Sequence, residues 1–404
     1  MEKYAEINFV NLFVSNFALM FGFSLWQNLF NNFSVEKIGV TATQIGVIQG
    51  IRELPGLMGF AVALIVMLIA EVRLTFLSVV LMGLGVALTG LVRSFWGLAA
   101  TCFLMSIGFH FFYPLRTSIT LKLLDSDRAA HTLARYRSHA QLAGALTTGV
   151  VTMAFWLIDW FHLNIEMRHF FLIGGVAVML VGIYLTRTND PTLTTTSERN
   201  LRYNKRYWLY YVLQFLSGTR RHIFTTFAIF LLVKVYQVSV KEITLLIFIN
   251  SSLSYFVFKK AGNIINYFGE RSVLVTIYIL LIGIFTGYAY IENLWLLFMF
   301  FIMDHVLFGF NMALETYFKK TALPADITSN ISVGVTINHI SAIFIPIIGG
   351  VVWDVLGFEI TFLFGAAVAF ISSLFCLMLQ RHPKSTEGMV PLKTGSRWTS
   401  SKEA

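Results

Sequence analysis

Three consecutive basic residues, Arg220, Arg221 and His222, lie inside an otherwise apolar stretch that runs from about Tyr207 to Val233. Guanidinium groups in such a setting offer a planar fork of donors that matches a carboxylate or phosphate better than a lysine ammonium does. Asp304 and His305 sit together in a second apolar stretch, and Arg52 and Glu53 precede Pro55 and Gly56 in a third. Carboxylates and imidazoles withdrawn from water are proton carriers or charge neutralisers. Asp304 with His305 is the first candidate for proton coupling and Glu53, beside Arg52, the second. Two structural readings stand beside these: Asp304 neutralising a central arginine, and Arg52 with Glu53 forming an ion pair to another helix. Neighbours in a helix project roughly 100° apart, so one arginine of the central pair suits a cavity while the other meets an adjacent helix. Gly218, just before them, suits close approach of another backbone.

The stretches that hold these charges must cross a membrane. An arginine at the centre of a bilayer helix costs about 2.5–3.5 kcal/mol and normally faces a bundle interior or an aqueous cavity. Apolar residues make up 56% of the 404 positions, charged residues only 13%, and the mean hydropathy is +0.71, against roughly 25% charged residues in soluble domains. Twelve segments supply the approximately 20 apolar residues that a bilayer core of about 30 Å requires. They span about 8–31, 43–69, 74–92, 96–120, 132–157, 168–186, 207–233, 243–262, 272–290, 293–317, 330–353 and 359–380. The first is too long for a cleavable signal and its flank is mixed in charge.

Charge places the termini. With both inside, the cytoplasmic segments hold nineteen of the 30 basic residues, the outer loops hold five (Lys37, Arg93, Arg168, Lys234 and Lys241), and six lie in or at the ends of helices; lysine and arginine gather on cytoplasmic loops. The formal charge of +9 therefore has a topological origin and does not indicate nucleic-acid binding. Cys102 and Cys376 both fall in apolar segments, as inert buried thiols do, and indicate no disulfide or thiolate metal site. The polar stretch from Arg187 to Arg206 divides the helices into six plus six. The expected organisation is a bundle over 1–186, a cytoplasmic linker over 187–206, a second bundle over 207–381 and a disordered cytoplasmic tail over 382–404.

The halves repeat weakly, as transporter folds built by duplication do. Gly39-Val40-Thr41-Ala42-Thr43-Gln44-Ile45 parallels Gln237-Val238-Ser239-Val240-Lys241-Glu242-Ile243. Each has Thr or Ser three residues before Gln or Glu, the pattern of a capping box. Gly108-Phe109-His110 parallels Gly309-Phe310-Asn311, and Ser138-His139 parallels Asn338-His339.

With these repeats the chain resembles the major facilitator superfamily, whose two six-helix halves form a parallel repeat. That family carries a marker loop, Gly-x-x-x-Asp-Arg-x-Gly-Arg-Arg, between its second and third and its eighth and ninth helices. Here Gly262 to Arg271 keeps both glycines, Gly262 and Gly269, and the last arginine, Arg271, with Asn266 and Tyr267 replacing the central Asp-Arg. The first copy is reduced to Ala70-Glu71-Val72-Arg73. Pro346, Gly349 and Gly350 look like the family's packing and bending positions. The resemblance covers about residues 8–380 and implies an all-α integral membrane protein, twelve helices in two six-helix bundles, with Gly262, Gly269 and Arg271 at a gate.

Other polar residues fill out the expected site. His110 and Tyr113, with Arg116, lie on the fourth segment, and Asn311 and Glu315 on the tenth. Arg116 and Glu315 suggest a gating ion pair, or two headgroup snorkels. Trp26 and Gln27, with Asn28, Asn31 and Asn32, suit an amphipathic vestibule, and His139 and His339 are more often packing residues than ligands. No Walker or Gly-x-Ser-x-Gly pattern and no metal-ligand spacing occurs, so neither an enzyme, a cofactor nor a metal is expected. The expected function is secondary active transport of a small organic solute with an anionic group, proton-coupled and by alternating access. The expected partners are that solute, protons and the lipid bilayer, with the chain a monomer in the plasma membrane, the inner membrane in a bacterium. The alternatives are a receptor or scaffold on the same fold, or a facilitator of a cationic or metal solute.

Overall fold

The computed structural model describes residues 9–57, 62, 65–66, 68–123, 126–188, 204–323, 326–381, 389–391 and 398–400. Its helices are α1 (Phe9–Phe33), α2 (Ala42–Leu57), α3 (Glu71–Thr89), α4 (Phe95–Leu123), α5 (Ser126–Trp160), α6 (Met167–Thr188) and α7 (Trp208–Lys234). There follow α8 (Val240–Phe268), α9 (Glu270–Tyr290), α10 (Leu294–Gly309), α11 (Met312–Thr321), α12 (Ile327–Leu356) and α13 (Phe358–Leu377). In hydrocarbon each backbone amide must find its partner inside the segment, and the α-helix does this. Buried hydroxyls follow the same logic: Ser78, Thr89, Thr147 and Thr152 each donate to the carbonyl four residues earlier.

Ten of the described helices are long and apolar enough to cross a membrane. Expected segments two and seven stand outside that set for visible reasons. The described part of α2 has only 16 residues, and α7, although 27 residues long, carries Arg220 and Arg221 near its middle. Expected segment ten is broken into α10 and α11, the chain turning at Phe310 and Asn311. The break falls on the repeated Gly-Phe-Asn, whereas its counterpart Gly108-Phe109-His110 lies inside the unbroken α4. The expected loop from Gly262 is mostly helix as well, since α8 continues to Phe268 and only Gly269, at φ +79°, separates it from α9. In the tail, Met389–Pro391 and Trp398–Ser400 pair as two short antiparallel strands, β1 and β2; most of the expected linker, residues 189–203, lies outside the described residues.

The chain divides into two compact units. Unit 1 comprises Met1–Glu198, Ile229–Ser251 and Pro346–Asp354. Its core gathers Leu12, Val72, Phe76, Ile119, Tyr136 and Leu185, all at 1% exposure or less. α3 packs backbone to backbone on α6, because Gly83 and Gly175 are reciprocal contact points. A Cβ on Gly83 would lie 2.3 Å from the Met179 nitrogen, and one on Gly175 would lie 2.2 Å from the Ala87 nitrogen. Unit 2 comprises Arg199–Ala228, Ser252–Ile345 and Val355–Ala404. Aromatic rings fill it: Phe224 stands edge-on to Tyr288 at 5.4 Å, and Tyr288 stacks on Phe362 at 5.0 Å. The Tyr288 hydroxyl donates to the Leu297 carbonyl at 3.0 Å, which satisfies the one polar atom of that ring.

The two expected capping boxes are present. Thr41 N–H donates to Gln44 Oε1 at 3.1 Å and Gln44 N–H to Thr41 Oγ1 at 3.2 Å. At the start of α8, Ser239 N–H donates to Glu242 Oε2 at 2.9 Å and Glu242 N–H returns to Ser239 Oγ at 3.4 Å. Each box satisfies first-turn donors that no residue within the helix can reach.

Candidate functional site

In unit 2 the central charges are brought together by α7 and α10. Arg220 donates from Nη1 to Asp304 Oδ1 at 2.8 Å, and the two side chains are only 2% and 5% exposed. Arg221 projects differently, as consecutive helix residues must. It is half-buried, with its guanidinium 4.6 Å from the Phe308 ring centroid, while that of Arg220 lies 5.9 Å from the same ring. Phe308 follows Asp304 by four residues on α10, so acid and ring share a helix face. One aromatic ring thus touches both guanidiniums, and a carboxylate neutralises the deeper one. Arg220 Nε is buried without a hydrogen-bond partner among the described residues.

His305 belongs to the same helix but turns toward rings. Its Nδ1 lies 2.9 Å from the Phe301 carbonyl, and its ring is 4.3 Å from Phe301 and 5.7 Å from Phe224. His222 is buried on α7. Gly218, expected to admit a backbone, instead admits side chains: a Cβ there would lie 2.3 Å from Ser341 Oγ and 2.8 Å from Asn338 Nδ2. Ser217, one residue earlier, donates to Asn311 Oδ1 at 3.0 Å, which ties α7 to the break between α10 and α11. Glu315 is exposed on α11. Of the loop residues, Gly262 has open space around it, and Arg271 is half-buried in the first turn of α9. The neighbouring Glu270, itself buried, pairs with Lys320 at 2.5 Å.

Unit 1 holds the other polar cluster. Arg52 Nη2 donates to Glu53 Oε1 at 2.7 Å, so the two neighbours pair with each other along α2. Glu53 Oε2 faces His110 Nε2 at 3.8 Å. The His110 Nδ1 lies 2.9 Å from Ser106 Oγ, whose hydroxyl donates to the Arg52 carbonyl. Together these contacts tie α2 to α4 one turn before Pro55. Lower on α4, Arg116 is buried, donates to Asn16 Oδ1 and lies 4.9 Å from the Tyr113 ring and 4.6 Å from the Tyr136 ring. Tyr113 gives its hydroxyl to Met20 Sδ at 2.9 Å. Arg116 is thus held within unit 1 by Asn16 and the two tyrosine rings. Trp26 is 1% exposed and stacks on Phe30 at 4.2 Å, inside the bundle, whereas Gln27 is exposed. His139 packs 4.8 Å from Phe13, and both cysteines are free and buried.

Phe308, Ser106 and Asn16 are the residues that inspection of the sequence passes over. Phe308 and Ser106 each stand four residues from a charge already singled out, Asp304 and His110, and that spacing is their only local signal. Asn16 is a hundred residues from Arg116 and has none.

Many apolar helices with paired charges inside them define a multi-pass helical membrane protein. Its sequence matches the Major Facilitator Superfamily over residues 12–328 and again over 210–396, and the chain belongs to that family. Among solved structures, the nucleoside transporter NupG aligns with a TM-score of 0.73 at 13% identity, covering 92% of this chain and 98% of that one. A bacterial homologue of the human lysosomal transporter Spinster, inward-facing and occupied, aligns with a TM-score of 0.72 at 14% identity over 92% and 95%. No curated protein sequence matches. At such identities the likeness is one of fold.

Proposed function

We propose that this protein is a secondary active carrier that moves a small organic solute with an anionic group by alternating access, coupled to protons. The observation that carries this reading is the arrangement of Arg220, Asp304 and Arg221. A buried ion pair that loses one partner leaves an uncompensated charge costing about 3–5 kcal/mol, so Arg220 exchanges Asp304 only for another anion. Protonation of Asp304 frees the guanidinium, and a solute carboxylate or phosphate takes its place. Arg221, nearer solvent on the Phe308 ring, meets the anion first. Proton and anion are thereby bound together, because each alone leaves a buried charge unpaired.

Glu53 and His110 are the second titratable pair, held by Arg52 and Ser106, and serve as the runner-up proton carrier. Tyr113, Asn311, His222 and Gln27 complete the solute-facing set in this proposal, while Trp26, buried against Phe30, packs behind it. Arg116 and Glu315, with Gly262, Gly269 and Arg271, serve as gating elements at the terminal side. We place the termini in the cytoplasm and the chain as a monomer in the plasma membrane or bacterial inner membrane. The experiment is a thermal-stabilisation screen of the purified protein with anionic, zwitterionic and cationic metabolites. It is followed by flux of the hits in proteoliposomes under an imposed pH gradient. Stabilisation by cations alone, or flux indifferent to pH, removes the anion and proton parts respectively. Binding without turnover makes it a receptor.

A further inference from the structure

The last turns of α1 carry three asparagines that the proposed cycle does not use. Asn31 and Asn32 follow Asn28 by three and four residues, so all three share one helix face. They are buried, at 2%, 8% and 0% exposure for Asn28, Asn31 and Asn32. Two of the amides are fixed in orientation by what their nitrogens donate to. Asn28 Nδ2 donates to the Ser24 carbonyl at 2.7 Å and to Thr148 Oγ1 at 3.0 Å. The Thr148 hydroxyl is itself committed to the Gly144 carbonyl at 2.9 Å. Asn32 Nδ2 donates to Glu36 Oε1 at 2.8 Å and to the Val238 carbonyl at 3.1 Å. Carbonyl and carboxylate oxygens only accept, so each of these ends is the amide nitrogen.

The nitrogen of Asn28 is thus drawn one turn back toward Ser24, and that of Asn32 one turn on toward Glu36. Their oxygens are left on the stretch of face between them, where Asn31 also stands. All three Oδ1 atoms are buried and meet no donor among the described residues. Buried acceptors without a donor are costly, and here three negative dipole ends crowd one turn of helix. A cation removes that cost, since hard cations take amide oxygens as ligands. Charge narrows the choice. The three amides are neutral, and the one carboxylate bonded to them, Glu36, lies a shell further out and is exposed. One positive charge is balanced by it and two are not. Glu36 stands in the π-helical turn Ser34–Ile38 that follows α1, a winding frequent at functional sites, and leads from water to Asn32.

We infer that Asn28, Asn31 and Asn32 form a binding site for one alkali-metal cation, held through their three Oδ1 atoms. Glu36 is a positioning residue that fixes the Asn32 amide and balances the charge. The site is distinct from the titratable groups of the proposed proton coupling, and it stands whether or not the chain transports.

The test is thermal melting of the purified full-length protein in detergent, with choline chloride exchanged for sodium, potassium or ammonium chloride at constant ionic strength and no solute added. Sodium or potassium is expected to raise the melting temperature saturably over choline, as a ligand of the native state does. Asn31→Leu removes an oxygen that has no donor, so it is expected to melt no lower than the parent in choline. The same change is expected to weaken the ion by about a hundredfold or more, since loss of an outer-shell partner alone costs about 10–100-fold. Glu36→Gln keeps an acceptor for Asn32 and loses the charge, and is expected to weaken the ion by about tenfold, the low end of that range. Equal melting of the parent in all four salts overturns the site. An alkali-dependent rise that survives unchanged in both variants overturns it too, because the ion then binds elsewhere. A rise with ammonium alone also overturns it and assigns the oxygens to an N–H donor, such as the ammonium end of a solute. If Asn31→Leu does not fold, Glu36→Gln decides.

Discussion

Arg220 on α7 and Asp304 on α10 form an ion pair at 2.8 Å from which solvent is almost wholly excluded. Each therefore depends on the other for its charge to be tolerable at that depth. Replacing Arg220 by Gln, or Asp304 by Leu, is expected to cost about 3–5 kcal/mol of stability, read as a lowered melting temperature in detergent. The double variant Arg220→Met with Asp304→Leu should regain most of that stability and none of the solute binding. Additive losses in the double variant would show that the two residues are not coupled.

Arg221 separates binding from folding. It is half-buried and rests on Phe308, a contact of about 0.5–1 kcal/mol at such sites. Arg221→Gln should thus melt within a few degrees of the parent while losing an anion contact worth about 1.5–3 kcal/mol, roughly a tenfold or greater weakening of solute binding by calorimetry. Unchanged affinity in Arg221→Gln and Arg220→Gln together would end the anion assignment.

Asp304→Asn is expected to disconnect accumulation from a pH gradient while solute exchange across the membrane continues in part. The amide has no proton to lose, so acidification of the entry side, which loads Asp304 in the parent and frees Arg220, no longer speeds uptake. Counterflow and gradient-driven uptake measured on the same vesicles distinguish the two activities. If Asp304→Asn retains full pH-driven uptake, the coupling group is elsewhere, with Glu53 next to be tested by Glu53→Gln.

Arg116 is expected to matter for the integrity of unit 1. It lies between the rings of Tyr113 and Tyr136 and donates to Asn16, so Arg116→Ala should lower stability by about 2.5–5 kcal/mol, summing a charged hydrogen bond and two cation–π contacts. Equal melting temperatures for Arg116→Ala and the parent would free this residue for a purely gating role.

Tags on both termini and on the 187–206 linker should all be protected or exposed together, on the cytoplasmic side, in an accessibility assay with a membrane-impermeant reagent. A terminus on the opposite side would reverse the orientation drawn from nineteen basic residues against five.

Membrane residence, the approximate helices and the capping boxes were legible in the sequence, because each depends on local composition. Twenty apolar residues, a run of lysines and arginines, or Thr-x-x-Gln at a helix start carries its physical consequence without reference to distant chain. Arg220, Arg221 and Asp304 were legible as charges for the same reason: hydrocarbon makes any charge conspicuous. What they pair with was not. Whether Arg52 meets another helix or its own neighbour Glu53, and whether Asp304 faces Arg220 or Arg221, depends on helix rotation, which apolar segments hydrophobic on every side do not encode in their pattern. The break at Phe310 and Asn311 was likewise hidden, since the segment is apolar enough to read as one helix and the turn is held by Ser217 from another. Asp354 reaches Thr43 across 311 residues; only the tertiary structure, by setting α12 against α2 with glycine at both contacts, makes a surface carboxylate into a cap for a helix it does not belong to.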